Sequence, residues 1–353
     1  MQIPKLNFVD IETQTFDSII DVRSPAEFAL DHIDGAINLP VLSNEERALV
    51  GRTYKQESRF KARKIGAALI AKNTAQHLET ELFSKDREWK SLIYCWRGGQ
   101  RSSSFSTILS EIGWRPTLLN GGYKSYRKEV CEIMHKKPAN YNFVLISGHT
   151  GTAKTAIIQT LENLSIQTID LEALANHRGS VFGSNLTKQP SQKLFESFLF
   201  YKLKSLDYRK PIILESESNK IGQIAIPSMI WNAMKKSPRI EIKAPLHARA
   251  LYLTRTYKNL TKNQEALDQR IEFLTNQHSH KKIQEWKDLS KAGKFSELAT
   301  ELMFNHYDAR YKNYQKKSPH TNLPSFNMNT INERSIRSTA KRISEIVNSI
   351  TQN

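Results

Sequence analysis

Ser91-Leu92-Ile93-Tyr94-Cys95-Trp96-Arg97-Gly98-Gly99-Gln100-Arg101-Ser102 reads as a buried strand, a glycine turn and the opening of a helix that continues to Gly113. A short apolar run that empties through glycines into a helix is the repeating unit of a parallel sheet. The same alternation extends on both sides. Residues 18–23 form a short apolar run ending in charge. Ser24-Pro25-Ala26-Glu27-Phe28 supplies an N-cap, a proline at the first helical position and a capping acid. Residues 33–40 read as a turn and a second strand, about 59–83 as a long helix, and Thr117-Leu118-Leu119 as a strand ending at Asn120-Gly121-Gly122. Residues 1–136 are therefore expected to form an α/β domain with a parallel sheet.

Lys136-Lys137-Pro138-Ala139-Asn140 is a polar connector, and a new strand, residues 142–147, follows it into a second glycine turn and helix. Further strands are expected at 166–170, 211–215 and 239–243, which makes residues 140–256 a second α/β domain. Residues 257–353 read as helical and basic, with few β-branched runs.

The 353 residues suffice for about two domains, and 39% apolar with 25% charged residues suits a globular chain. No run of about 18 apolar residues is present, so no membrane span is expected. The first residues lack the basic-then-apolar order of a secretory signal. Two cysteines cannot make a disulfide framework, which points to the cytoplasm. The net charge of +17 is unevenly spread: residues 1–136 hold 20 basic and 17 acidic side chains, and the rest 32 and 18. A surplus concentrated in the second part favours nucleic acid or phosphate ligands.

Cys95 is the leading catalytic candidate. A cysteine between a strand end and a helix N-terminus sits in positive potential, the setting that stabilises a thiolate. Gly98 and Gly99 let the backbone curl into a nest for an anion, and Arg97 and Arg101 add charge. Such a loop serves sulfur or selenium transfer through a persulfide or perselenide, and it also serves phosphatases that form a phosphocysteine. The spacing from Cys95 to Arg101 is Cys-x5-Arg, one residue longer than the simple sulfur-transfer loop, and leaves both chemistries open. Cys131, on a helical stretch, reads as structural.

Gly148-His149-Thr150-Gly151-Thr152-Ala153-Lys154-Thr155 follows a strand and opens a helix, the context of a phosphate-binding P-loop. Ala153 stands where the usual G-x4-G-K-[ST] pattern has its second glycine, so phosphate binding is better supported than nucleotide hydrolysis. Gly148, Thr150, Gly151, Lys154 and Thr155 are the expected diphosphate ligands. Asp170, Glu215 and Glu217 lie where P-loop folds place supporting carboxylates. His177 and Arg178, within His177-Arg178-Gly179-Ser180-x-Phe182-Gly183, suit contact with an anion.

Asp21-Val22-Arg23-Ser24-Pro25-x-Glu27-Phe28 and His32-Ile33-x-Gly35-Ala36-Ile37-Asn38-Leu39-Pro40 resemble the N-terminal signature of rhodanese domains, with Asp31 at a usual glycine. Joined to a P-loop, and with Gly121-Gly122-Tyr123-Lys124, Leu174-Ala175-Asn176-His177-Arg178-Gly179-Ser180, Glu215-Ser216-Glu217-Ser218-x-Lys220-Ile221-Gly222 and Tyr307-Asp308-x-x-Tyr311, the order of motifs resembles the bacterial tRNA 2-selenouridine synthase family across about residues 18–315. The resemblance implies a rhodanese-like parallel-sheet domain, then a P-loop α/β domain with a basic helical C-terminal region.

It also implies a two-step reaction on wobble 2-thiouridine of the tRNAs for Lys, Glu and Gln. Geranyl diphosphate alkylates the sulfur, and selenium derived from selenophosphate then replaces it. Cys95 would hold the selenium, with Arg97, Gly98, Gly99 and Arg101 around the selenophosphate. Both compounds are co-substrates; no firmly bound cofactor and no metal are expected. Tyr252, Tyr257, Trp286 and Tyr307 are candidates to stack on an unpaired base. The competing expectation is a rhodanese-type sulfurtransferase fused to a P-loop nucleotide-binding domain; a non-enzymatic RNA-binding module is the third.

Overall fold

The structure, a computed structural model, describes residues 3–137, 140–177, 188–216, 218–309, 311 and 323–350. The chain forms two compact units. The first comprises Met1–Lys136 and Pro190–Tyr201, the second Lys137–Gln189 and Lys202–Asn353.

In the first unit, strands β1 (Lys5–Leu6), β2 (Ser18–Asp21), β3 (Ala36–Asn38), β4 (Ser91–Tyr94) and β5 (Thr117–Leu119) form a sheet in the order β1-β5-β4-β2-β3. Every pairing is parallel, with Ile20 opposite both Ile93 and Ile37. β4 is central and wholly buried, as expected of a continuous apolar run covered on both faces. Ser24 and Glu27 make the expected capping box on helix Pro25–Leu30. The long helix runs Arg59–Glu79, ending before residue 83. A further helix, Asn44–Gln56, lies ahead of it; its signal, the Ser43/Glu46 capping box, is local and polar rather than periodic. Ile20, Val22, Ile70, Ile93, Phe105 and Leu109 form the core.

In the second unit, β6 (Phe143–Ser147), β7 (Thr168–Ile169) and β8 (Ile212–Glu215) precede a small antiparallel hairpin, β9 (Lys220–Ile221) and β10 (Ile224–Ala225). β11 (Arg239–Lys243) and β12 (Phe326–Asn327) complete a parallel sheet ordered β12-β11-β6-β8-β7. Residues 257–353 are therefore not one helical region. Helices Gln264–Glu272, His280–Lys291 and Phe295–Leu302 gather around a core of their own that includes Leu267, Ile271, Ile283 and Leu298. Residues from 323 onward return to the sheet. Phe326 pairs with Ile242 and is buried, and Ile336, Ala340, Ile343 and Val347 of helix Glu333–Ile350 join Ile157, Ile158 and Leu161 of helix Lys154–Asn163. A two-residue strand is too short to carry periodicity, which is why the sequence conceals it.

Trp286 is fully buried in the helical core, so it cannot stack on a nucleotide; the sequence-based expectation for this residue is corrected. Among the described residues no helix is long and apolar enough to cross a membrane.

Replacing Ile343, which has no exposed surface, with Ala should destabilise the protein by about 2–4 kcal/mol in denaturant unfolding. A loss below about 0.5 kcal/mol, typical of surface sites, would mean that helix Glu333–Ile350 does not pack as described.

Candidate active site

β4 delivers Cys95 to the turn that Gly99 ends as the N-cap of helix Gln100–Ile112. Cys95 is 3% exposed, and its sulfur accepts the Gly99 N–H at 3.3 Å and the Ser102 hydroxyl at 3.2 Å. Ser102 is itself buried and was not singled out from the sequence. Gly98 turns the chain at φ +66°, in the left-handed region that favours glycine. The two arginines of the loop differ. Arg97 is exposed, whereas Arg101 is engaged by Glu27 at 2.7 Å. Burial pushes the Glu27 carboxyl up, but the Arg101 hydrogen bond and charge, with the Ser24 N–H and Arg47, hold it below its ordinary value. Arg101 thus fastens helix Gln100–Ile112 to the capping residue of Pro25–Leu30.

The Gly121-Gly122-Tyr123-Lys124 segment packs directly under the cysteine loop. The Tyr123 N–H donates to the Cys95 carbonyl at 2.8 Å and the Lys124 N–H to the Trp96 carbonyl at 3.0 Å. A Cβ on Gly122 would lie 2.3 Å from the Cys95 carbonyl oxygen and 2.5 Å from the Gly98 nitrogen. Only glycine permits this approach.

Tyr123 is held in turn by a buried polar network. Its hydroxyl donates to Asp31 Oδ2 at 2.6 Å, and the Ser197 hydroxyl donates to Oδ1 at 2.7 Å. The Arg23 guanidinium lies 4.0 Å from the Tyr123 ring centre, pairs with Asp21 and donates to the Asp31 carbonyl at 2.6 Å. Arg127 stands 3.6 Å from Asp31 and pairs with Glu196. Asp31, which reads in the sequence as a small departure on a turn, is fully buried at the centre of this network. Burial raises its carboxyl above the ordinary value against the lowering effect of Tyr123, Ser197 and Arg127.

In the second unit, β6 opens into the glycine loop and helix Lys154–Asn163. A Cβ at Gly148 (φ +153°) would lie 2.5 Å from the Ile242 carbonyl oxygen. One at Gly151 (φ +84°) would press on Leu253 and Arg249 at 3.1–3.2 Å. Ala153 adopts φ +60°, ψ +29°, the left-handed conformation that its usual glycine would supply. The loop therefore keeps its path at the cost of about 1–2 kcal/mol of local strain. Lys154 Nζ donates to the Gly148 carbonyl at 3.1 Å, so its ammonium lies across the loop.

Thr155 donates to Glu172 Oε2 at 2.9 Å, and the Glu172 N–H donates to buried Glu215 Oε1 at 2.9 Å. Asp170 instead caps the short helix Leu171–Leu174 through the Ala173 N–H. Glu172, next along that helix, is the acid that touches the P-loop threonine. His177 lies 9% exposed; burial and the charge of Arg270 lower its pKa. A Cβ on Gly222 would come within 2.9 Å of the His177 ring, which brings the two later motifs together. Arg178, Gly179, Ser180, Phe182, Gly183 and Glu217 lie outside the described residues. Among those described, no group of three or more His, Cys, Asp or Glu side chains is placed to hold a metal ion.

Asp308 ties the loop to the C-terminal helices. It accepts His149 Nδ1 at 3.0 Å and takes both Arg249 nitrogens at 3.0 and 2.8 Å, while Arg249 also donates to the Thr150 carbonyl at 3.1 Å. Burial raises the Asp308 carboxyl, but His149 and Arg249 outweigh it and bring the pKa down to about 2. Tyr311 lies 4.5 Å from the His149 ring. The Tyr307-Asp308-x-x-Tyr311 motif thus closes on the P-loop. Arg249 gave no signal in the sequence beyond its charge.

A family model described as the tRNA 2-selenouridine synthase AAA domain matches residues 141–291, and a rhodanese-like domain model matches residues 9–129. The observed architecture is the expected one, a rhodanese-like parallel-sheet domain and a P-loop-like α/β domain. A protein from Nitrosomonas eutropha named tRNA 2-selenouridine synthase is 38% identical over 235 residues, 65% of this chain and 60% of that relative. Relatives of the same name from Nitrosomonas europaea and a Sulfurovum species are 37% and 35% identical, each over 65% of this chain and over 61% and 63% of their own lengths. The chain therefore spans about three-fifths of the length of these relatives.

Gly122→Ala should destabilise the protein by more than about 2 kcal/mol, because backbone atoms block the new methyl. Gly99→Ala, with nothing within 4 Å of its Cβ, should stay within about 1 kcal/mol. Equal effects in thermal unfolding would contradict the packing described. For Asp308, an acid held below its unfolded value of 3.8, stabilisation is present above about pH 4 and lost as pH falls towards 2. Asp308→Asn should cost roughly 1–2 kcal/mol at pH 7, allowing for partial solvation, and the gap to wild type should close on acidification. A gap that is the same at pH 7 and pH 3 would exclude this linkage.

Proposed function

Because the chain belongs to the tRNA 2-selenouridine synthase family, we propose that it converts wobble 2-thiouridine of the tRNAs for Lys, Glu and Gln into 2-selenouridine through an S-geranyl intermediate. The observation that carries this reading is a buried thiol at a helix N-terminus in the same chain as a phosphate-binding loop. One centre suits a soft nucleophile, the other an oligophosphate leaving group. Simple sulfur transfer needs only the first.

In the first step the thiocarbonyl sulfur attacks C1 of geranyl diphosphate. An S–C bond forms, the C–O bond breaks, and diphosphate leaves. Gly148, Thr150 and Gly151 with Thr155 line the leaving group, and Lys154 meets the charge that develops on it. Alkylation also removes the N3 proton of the base. His149, fixed through Nδ1 by Asp308, has Nε2 to receive it. In the second step the selenium of selenophosphate, held beside Cys95, adds at C2, the C–S bond breaks and geranylthiol departs. Water then cleaves the Se–P bond, releasing phosphate and leaving 2-selenouridine. Gly99 N–H and the Ser102 hydroxyl stabilise charge on the chalcogen. Arg97, exposed beside the loop, is suited to a phosphate-bearing donor. The basic surplus beyond residue 136 supplies the field for tRNA, and we place the enzyme with its substrate in the cytoplasm.

The test is to incubate the protein with 2-thiouridine tRNA and geranyl diphosphate, with and without selenophosphate, and to read nucleosides by mass spectrometry. Wild type should give geranylthiouridine without selenium and selenouridine with it. Cys95→Ser should stop after the first step, whereas Lys154→Ala should slow the first step by at least about 100-fold. No mass change in wild type, with cyanide-dependent sulfur transfer from thiosulfate instead, would replace this reading with the sulfurtransferase one.

A further inference from the structure

Beside the P-loop lies an apolar cavity of about 80 Å³, open on one side. Thr150 of the loop forms part of its edge, and Leu253, Leu267, Leu298, Leu302 and Met303 form much of its wall. The join is tight. Gly151 lies so close to helix Leu246–Thr256 that its Cβ would meet Leu253 at 3.1 Å, and Arg249, one turn earlier, holds the Thr150 carbonyl. Phosphate-binding backbone and hydrocarbon wall are therefore one continuous surface.

Two hydroxyls of the lining, those of Thr254 and Thr261, are committed to backbone carbonyls. The Thr254 hydroxyl donates to the Ala250 and Leu251 carbonyls, and that of Thr261 to the Lys258 carbonyl. A nucleobase would need partners along its edge, and these two hydroxyls do not offer them, while most of the wall is hydrocarbon. What fits is an anion with an apolar tail.

We propose that this cavity takes the hydrocarbon tail of an allylic diphosphate whose head occupies the P-loop, and that Phe295 and Ala299 set the accepted tail length. This rests on the geranyl diphosphate reading and adds the place and the ruler for its tail. Both residues are on helix Phe295–Leu302 and line the cavity from partly exposed positions.

The experiment measures binding of inorganic pyrophosphate, of dimethylallyl, geranyl and farnesyl diphosphates and of ATP to the full chain by calorimetry. Each buried methylene is worth a factor of about four in affinity, so the wild type should prefer geranyl diphosphate to pyrophosphate by at least about 100-fold. Ala299→Phe should weaken geranyl diphosphate by about tenfold or more and leave dimethylallyl diphosphate and pyrophosphate within about twofold. Phe295→Ala should shift preference towards farnesyl diphosphate. If all the diphosphates bind wild type alike, or neither variant alters length preference, the tail site is overturned while the phosphate site stands. If none binds, the diphosphate reading and this inference fail together. Tight binding of ATP that Ala299→Phe abolishes would make the cavity a base pocket and also overturn the proposal.

Discussion

At Gly122 two stretches of backbone touch with no room for a methyl group, and the cysteine centre is organised around that contact. The helix beginning there donates its first N–H groups to the carbonyls of Cys95 and Trp96, so the loop is clamped by main chain rather than by side chains. Donors that would be orphaned at a helix N-terminus are thereby satisfied. The opposite side of the loop is fixed by Gly99 and Ser102 on the sulfur and by Arg101 on Glu27. The result is a thiol whose position is determined from three directions.

The phosphate loop is secured by different means. Its glycines are required where Ile242 and the Arg249–Leu253 turn crowd it, yet Ala153 shows that a left-handed residue need not be glycine when strain of order 1–2 kcal/mol is offset elsewhere. The Asp308–Arg249–His149 cluster is a natural source of that offset, since it bonds the loop at His149 and at the Thr150 carbonyl. A carboxylate near the end of the helical region thereby acts on a loop more than 150 residues earlier in sequence.

Much of this was legible from local patterns. Cys95, Gly98, Gly99 and the P-loop lie on strand–turn–helix units whose apolar runs and glycines announce themselves, and the Ser24–Glu27 cap is a four-residue code. What stayed hidden depends on contacts between distant segments. Asp31 looks like a substituted turn glycine until Tyr123 and Ser197 are seen to close on it. Glu172 lies beside the more conspicuous Asp170, and only helix phase decides which of them faces Thr155. Trp286 carries the composition of a stacking residue and the burial of a core one. Strand Phe326–Asn327 is too short to leave a pattern.

The first unit is not finished when its own N-terminal segment ends. Phe8 and Tyr126 pack against Phe200, Asp31 needs Ser197, and Arg127 needs Glu196, all from residues 190–201. On a ribosome the chain emerges from its N-terminus, and domains ordinarily fold in that order. Here residues 1–136 must wait, with a buried acid short of a donor, until some 65 further residues have been synthesised. Completion of the thiol-bearing unit is therefore timed after the P-loop segment exists, so that no nascent chain carries a finished cysteine centre without its companion.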